Sequence, residues 1–310
     1  MKFVRSALIS LAASLAGSGI AAQQVEAPLP EIKFGGSAFS GERALEHIGR
    51  QVDGGPRVYG LPGYRNALKL YKQHFGQYAD SLAIEPLIWK PERRSGKTLF
   101  GNNLIARFNP DAQPRIVLAA HWDSRPISDN DRRHRDQPTP GANDGASGVA
   151  VLMELAQLLH DEGTERGIDL ILFDLEDRGN IDGLPFAIGA ELFLRQHPDY
   201  QAEWGVLLDM VCDPDLEIAR EGHSRAYAAD WQQQIWAFAA VRGHTIVKNR
   251  DIQPISDDHV PFLRRGIAMV NFIHYPFPDY WHTSRDTQDK CSATTLKKVG
   301  DLVYDLVLHK

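Results

Sequence analysis

Four short apolar runs recur along this chain, and each one ends on titratable residues. Arg115-Ile116-Val117-Leu118-Ala119-Ala120 runs into His121-Trp122-Asp123, and residues 168–173 run into Asp174-Leu175-Glu176-Asp177. Residues 205–208 stop at Asp209, and residues 268–273 lead through Tyr275-Pro276-Phe277-Pro278 to His282. Continuous apolar runs this short read as strands buried on both faces. Helical patterns fall around them at 60–80, 147–160, 231–241 and 295–308, the second with Val151, Leu152, Leu155, Leu158 and Leu159 on one face. This alternation predicts an α/β fold with a central, mostly parallel mixed sheet flanked by helices.

Open α/β sheets place their sites beyond the carboxyl ends of the strands. Any one of these polar residues could be a cap or a surface group, but four strand ends delivering His, Asp and Glu to one edge point to a metal or acid/base site. A fifth element is Gly141-Ala142-Asn143-Asp144-Gly145-Ala146-Ser147-Gly148, whose small residues allow a tight turn that holds Asp144 inward. Asp144 could also cap the helix that follows. The resulting inventory is His121, Asp144, Glu176, Asp177, Asp209 and His282. Carboxylate and imidazole donors without thiolate suit a catalytic zinc that keeps an open position. Glu176 and Asp177 are adjacent and cannot point identically at one ion, so one is expected as a ligand and the other as an acid/base.

Composition excludes several alternatives. The chain has 310 residues, is 43% hydrophobic and 24% charged, and carries 2 Cys, which rules out a disordered chain and a disulfide scaffold. Its net charge of −6 gives no basic field for nucleic acid. Residues 1–22 read as a signal peptide, with Lys2 and Arg5 ahead of a short apolar stretch and small residues up to Ala21-Ala22. An uncleaved anchor is the alternative. The expected location is exported, periplasmic or secreted, with no stable membrane insertion after cleavage. Residues 23–59 are expected as a lead-in, and 60–310 as a single catalytic domain. Cys212 and Cys291 could pair in an oxidising compartment or stay as buried thiols; spacing does not decide between these.

The residues resemble the zinc-dependent M28 peptidase clan, and within it the glutaminyl-peptide cyclotransferase (glutaminyl cyclase) branch. The clan-wide part is His121-Trp122-Asp123, Asn143-Asp144, Glu176-Asp177, Asp209 and His282. The cyclase-like part is the run from Ser256-Asp257-Asp258-His259 to Arg264-Arg265-Gly266, and then Pro276-Phe277-Pro278-Asp279-Tyr280-Trp281-His282-Thr283. The resemblance implies one zinc held by Asp144, Asp177 and His282, with Glu176 as general acid/base. It implies Asp209 and Asp257 as supporting or catalytic carboxylates, and Trp281 with Phe277 as substrate-binding walls. The implied partners are peptides or proteins with an N-terminal glutamine. Asp177 replaces a Glu of the animal enzymes, as in bacterial-looking members that also show Glu-Asp, and one departure matters: 178–186 lacks their pocket tryptophan, leaving Phe186 or Leu184 to supply that wall.

Two rival functions remain at this stage. A two-zinc aminopeptidase of the same clan could use His121, Asp144 and Asp209 for one ion and Asp144, Asp177 and His282 for the other. A non-enzymatic exported binding domain is the second, against which stands a complete set of candidate ligands. Asp123 is expected to orient His121. His259 and His274 read as structural histidines, Arg264-Arg265 as a solvated or salt-bridged pair, and 129–136 as a solvated loop. Trp122, Trp204, Trp231 and Trp236 read as packing residues.

Overall fold

A computed structural model describes residues 38–91 and 97–308. The signal-peptide reading of 1–22 lies outside the described residues. The four expected strands are present as β3 (Arg115–His121), β4 (Gly167–Phe173), β5 (Trp204–Asp209) and β8 (Met269–Ile273). They are mutually parallel and fully buried, as their unbroken apolar runs require. Two further strands, β1 (Ser81–Trp89) and β2 (Leu99–Phe108), form an antiparallel pair, and β2 also pairs antiparallel with β4. The six-stranded mixed sheet has the order β1-β2-β4-β3-β5-β8. The β1–β2 pair escapes the sequence pattern because β1 is half-exposed and carries Pro86, which only an edge strand tolerates.

Helices cover both faces. On one side lie α1 (Gly41–Val52), α2 (Pro62–Tyr78), α3 (Ala146–Glu162), α6 (Ala229–Val241) and α8 (Ala293–Leu308), sharing a core that includes Trp122, Leu152, Val206 and Val303. On the other side are α4 (Ile188–Gln196) and α7 (His259–Arg264), where Phe262 meets Phe173 at 5.8 Å and Phe193 at 6.0 Å between ring centres. A short helix α5 (Gly222–Tyr227) and a two-stranded parallel sheet, β6 (Ile218–Arg220) with β7 (Val247–Asp251), stand beside the β8 end. As expected for packing residues, Trp122 and Trp204 are fully buried, and Trp204 stacks on Trp231 at 5.3 Å.

Of the lead-in expected for 23–59, residues 23–37 lie outside the described residues, and the rest needs correction, because α1 packs against α3 and α8 and the folded body therefore begins before residue 60. Ser40 caps α1 by accepting a hydrogen bond from the Arg43 amide. Its buried residues are Gly41, Ala44, His47, Ile48, Gly49 and Gln51, of which only Ala44 and Ile48 bring apolar side chains, so periodicity alone does not reveal the helix. Arg43 reaches across to the fully buried Glu154 of α3.

His47 has a measurable consequence. Burial, then the charges of His74, Arg50 and Arg43, lower its pKa from 6.5 to about 3. The unfolded chain then binds a proton that the folded chain refuses. Stability is whole above pH 6.5 and declines as pH falls from there towards 3. His47→Gln should therefore flatten the fall in urea midpoint between about pH 6.5 and pH 4.5. An unchanged slope would show that His47 takes up its proton equally in the folded and unfolded chains.

Candidate active site and metal centre

The carboxyl ends of β3, β4, β5 and β8 converge as expected. His121 closes β3 and Asp209 closes β5. After β4, Leu175 takes a left-handed turn at φ 64, which redirects Glu176 and Asp177 towards the same edge. Met210 (φ 55) and His282 (φ 55) are also left-handed, a conformation that costs a non-glycine residue roughly 1–2 kcal/mol. Three such residues around one site indicate that tertiary contacts hold it in place. Asp174 takes no part, since its carboxylate accepts from the Tyr64 hydroxyl at 2.6 Å and the Asn102 amide at 2.7 Å.

Asp144 lies at the centre of two donor sets. Its Oδ1 is 3.0 Å from His121 Nε2, which is 3.2 Å from Asp209 Oδ1. Its Oδ2 is 3.5 Å from His282 Nε2, which is 3.3 Å from Asp177 Oδ1. Both triads, His121/Asp144/Asp209 and Asp144/Asp177/His282, are buried and bring their donor atoms within 4.8 Å of one another. Tetrahedral zinc with ligands at its usual distances separates neighbouring donors by roughly 3.3–3.6 Å. The two separations from His282, to Asp144 and to Asp177, fall in that range, whereas those around His121 are ordinary hydrogen-bond lengths. Asp177 Oδ2 is buried with no hydrogen-bond partner among the described residues, a carboxylate oxygen that a bound cation would satisfy. The donor set therefore fits zinc. The capping role considered for Asp144 is not realised: Gly145 is the N-cap of α3, and no side chain caps it. A side chain at Gly145 would collide with the backbone oxygen and ring of His121, so glycine is needed for this close approach.

Supporting groups fix these ligands. The Asp123 carboxylate accepts from the amides of Glu176 and Asp177, both at 3.2 Å, and lies 3.6 Å from His121 Nδ1. Asp286 holds the Asn143 and Asp144 amides at 2.8 and 3.1 Å. Arg57 is fully buried and donates to the carbonyls of Trp122, Pro140 and Gly141. The loop read as solvated, 129–136, also serves the site: Asp129 Oδ1 is 3.5 Å from His282 Nδ1, Arg125 bonds both Asp129 and Asp177, and Asp131 accepts from the Ser284 amide and hydroxyl. Metal-binding histidines regularly give their second nitrogen to a carboxylate, but nothing in the sequence showed which carboxylate. Asp129→Asn should weaken zinc binding about 10- to 100-fold in a chelator competition titration. Wild-type affinity would remove Asp129 from the site.

Glu176, Asp209 and Asp257 face a cavity of about 280 Å³, closed on one side by Phe186, Phe277 and Trp281. Trp281 is stacked between Phe277 at 4.2 Å and His282 at 3.7 Å. Burial pushes the Glu176 carboxyl well above its usual range, and Asp257 and Asp258 push it further. Burial with Asp209 nearby raises Asp257 to about 7. Phe186, rather than Leu184, supplies the wall for which the sequence has no tryptophan. Glu221 went unnoticed in the sequence. It is fully buried, bonds the Ile255 amide at 2.8 Å and His259 Nε2 at 3.1 Å, and so anchors the segment that carries Asp257. That contact gives His259 its expected structural role. Cys212 and Cys291 are joined by a disulfide that ties the segment after β5 to the start of α8.

The model of peptidase family M28 matches residues 103–307, well over half of the chain. The chain belongs to peptidase family M28. Among solved M28-like structures, a Bacteroides thetaiotaomicron glutaminyl cyclase bound to N-acetylhistamine is 30% identical, with a TM-score of 0.81 over 89% of this chain and 100% of that one. A structure described as a leucine aminopeptidase precursor from the same organism matches equally, at 30% identity and TM-score 0.81 over 89% and 99%. The glutaminyl-peptide cyclotransferase of Bos taurus is 27% identical over 67% of this chain, and the match spans 66% of the bovine protein, just under two thirds. The M28 assignment agrees with the mixed sheet and with a zinc-binding donor set.

Proposed function

We propose that this M28 protein is a glutaminyl-peptide cyclotransferase, in which the α-amine of an N-terminal glutamine attacks its own γ-carbonyl, releasing ammonia and leaving pyroglutamate. The observation that carries the reading is the cavity itself, where Glu176 and Asp257 face an apolar wall of Phe277 and Trp281 beside a metal donor set. The similarity to glutaminyl cyclases supports it.

Asp144, Asp177 and His282 would hold one zinc ion, which when bound supplies Lewis acidity to the γ-amide oxygen. Glu176 accepts a proton from the attacking amine and returns one to the departing nitrogen. Asp257, its Oδ2 fixed by the Asn271 side-chain amide at 2.7 Å, hydrogen-bonds the departing amide. Asp209 holds His121, which is thereby occupied with carboxylates. Trp281 and Phe277 pack the glutamine methylenes and limit water, favouring cyclisation over hydrolysis. Export is part of the same proposal, supported by the N-terminal sequence pattern and by the disulfide. Among the described residues no helix is long and apolar enough to cross a membrane.

One observation favours a second reading: the His121/Asp144/Asp209 triad is intact and shares Asp144, as a two-zinc aminopeptidase requires. Incubation with a Gln-initiated peptide and with aminoacyl anilides separates the two. Cyclisation yields ammonia and an otherwise intact peptide, with one zinc per chain. Release of free N-terminal residues, with two zinc ions per chain, would establish the aminopeptidase instead.

A further inference from the structure

A second cavity, of about 440 Å³, lies next to the catalytic one and shares Asn180, Phe186, Ser256 and Asp257 with it. Its volume falls within the range of ligand-binding cavities. Trp89, Phe186, Ile188 and Pro261 make it partly apolar, and Arg195 and Arg264 bring cationic groups to it. At the junction, the Asn180 side-chain amide and the Ser256 hydroxyl are exposed and have no hydrogen-bond partner among the described residues. Arg195 pairs with Glu191 at 3.0 Å and lies 5.5 Å above the Trp89 ring. Arg264, the last residue of α7, is exposed and forms no ion pair among the described residues. The pair Arg264-Arg265 therefore divides: Arg265 donates to the carbonyls of Leu194 and Pro198, bracing the end of α4, while Arg264 stays available.

We propose that this cavity is the subsite for the residues that follow the N-terminal glutamine, and that Arg264 makes it select a carboxylate there. The inference rests on the cyclotransferase reading. A glutamine seated against Trp281 is still attached to its peptide, which must leave the catalytic cavity. Asn180, Phe186, Ser256 and Asp257 line both cavities, so a chain that leaves the catalytic cavity past these residues enters the second one. Asn180 and Ser256 are placed to bond the peptide backbone at the crossing, and the apolar residues take side chains beyond it. The carboxylate can come from an Asp or Glu side chain or from the free C-terminus of a short peptide. Because Arg264 is exposed, its attraction is that of a screened surface charge.

The test compares kcat/KM for amidated Gln-Ala-Xaa-Ala peptides with Xaa Glu, Ala or Lys, and for Gln-Ala-Ala as free acid and as amide. The wild-type enzyme should favour Glu over Lys about three- to fivefold through KM, with the gap closing at high salt. Arg264→Glu should reverse the order. The ratio is taken within one preparation, so any loss of folded enzyme cancels. Preference for the free acid alone would assign the carboxylate to the peptide C-terminus and still support the subsite. Equal use of all the peptides, or an unchanged preference in Arg264→Glu, would overturn it. Failure to cyclise any Gln peptide would instead overturn the functional reading.

Discussion

Glu176→Gln is expected to lower turnover of a Gln-initiated peptide by about 10²–10⁴-fold while leaving zinc content unchanged. Glu176 is in neither metal donor set, yet it faces the catalytic cavity. Its backbone amide is held by Asp123 at 3.2 Å, a contact that glutamine keeps. Glutamine keeps the size of the side chain and removes its capacity to take a proton from the attacking amine. The substitution also takes one carboxyl from a crowded group that includes Asp257 and Asp258, so the melting temperature should hold or rise. Elemental analysis, kcat and melting temperature measured on one preparation separate the roles. Activity within a few-fold of wild type would remove Glu176 from the chemistry, and loss of zinc would make it a ligand.

The second large effect is expected at Arg57, far in sequence from every candidate catalytic residue. Its guanidinium is fully buried and donates at 2.8 Å to the Trp122 carbonyl, at 2.8 Å to Pro140 and at 2.6 Å to Gly141. These carbonyls shape the turn that delivers Asp144. Gly141 has φ +67, and a side chain on it would crowd the Arg57 guanidinium, so turn and arginine are fitted to each other. Arg57→Ala strands several buried carbonyls and opens a cavity, at a cost of about 3–5 kcal/mol. For a domain of this size that is a fall in melting temperature of roughly 6–20 °C. Arg57→Lys should recover only part of it, because an ammonium cannot reproduce the planar fork of donors. Zinc affinity should fall with stability in both variants, since Asp144 serves both donor sets. A thermal shift below 2 °C, roughly the scale of a single exposed contact, would contradict the role assigned to Arg57.

Much of the site was legible because its residues stand at places the chain marks locally. A buried parallel strand is a continuous apolar run, and the polar residue that ends it is where the sheet edge begins. His121, Glu176, Asp177 and Asp209 are therefore readable one strand at a time. Asp144 is marked by the small residues around it, and His282 by the aromatic and proline string before it. The residues missed share the opposite property. Arg57, Asp129, Glu221 and Asp286 act through partners that are distant in sequence or in unpatterned loops, and no local period announces such a contact. The helix α1 was missed because its buried face carries His47, Gln51 and two glycines and only two apolar side chains, and the β1–β2 pair because an edge strand is only half buried.

The sequence by itself determined the parallel core, the sheet edge at which chemistry is possible, and the residue types gathered there, because hydrophobic periodicity and strand ends are local properties. Only the tertiary structure decided how those residues are shared out. It set the two oxygens of Asp144 towards different histidines, turned Asp174 away to Tyr64, and put Asp129 behind His282. It also joined Cys212 to Cys291 and placed Phe186 where a tryptophan was missing. Each of these depends on the distance between atoms from separate elements, which is fixed by how the sheet twists and how the loops pack on it.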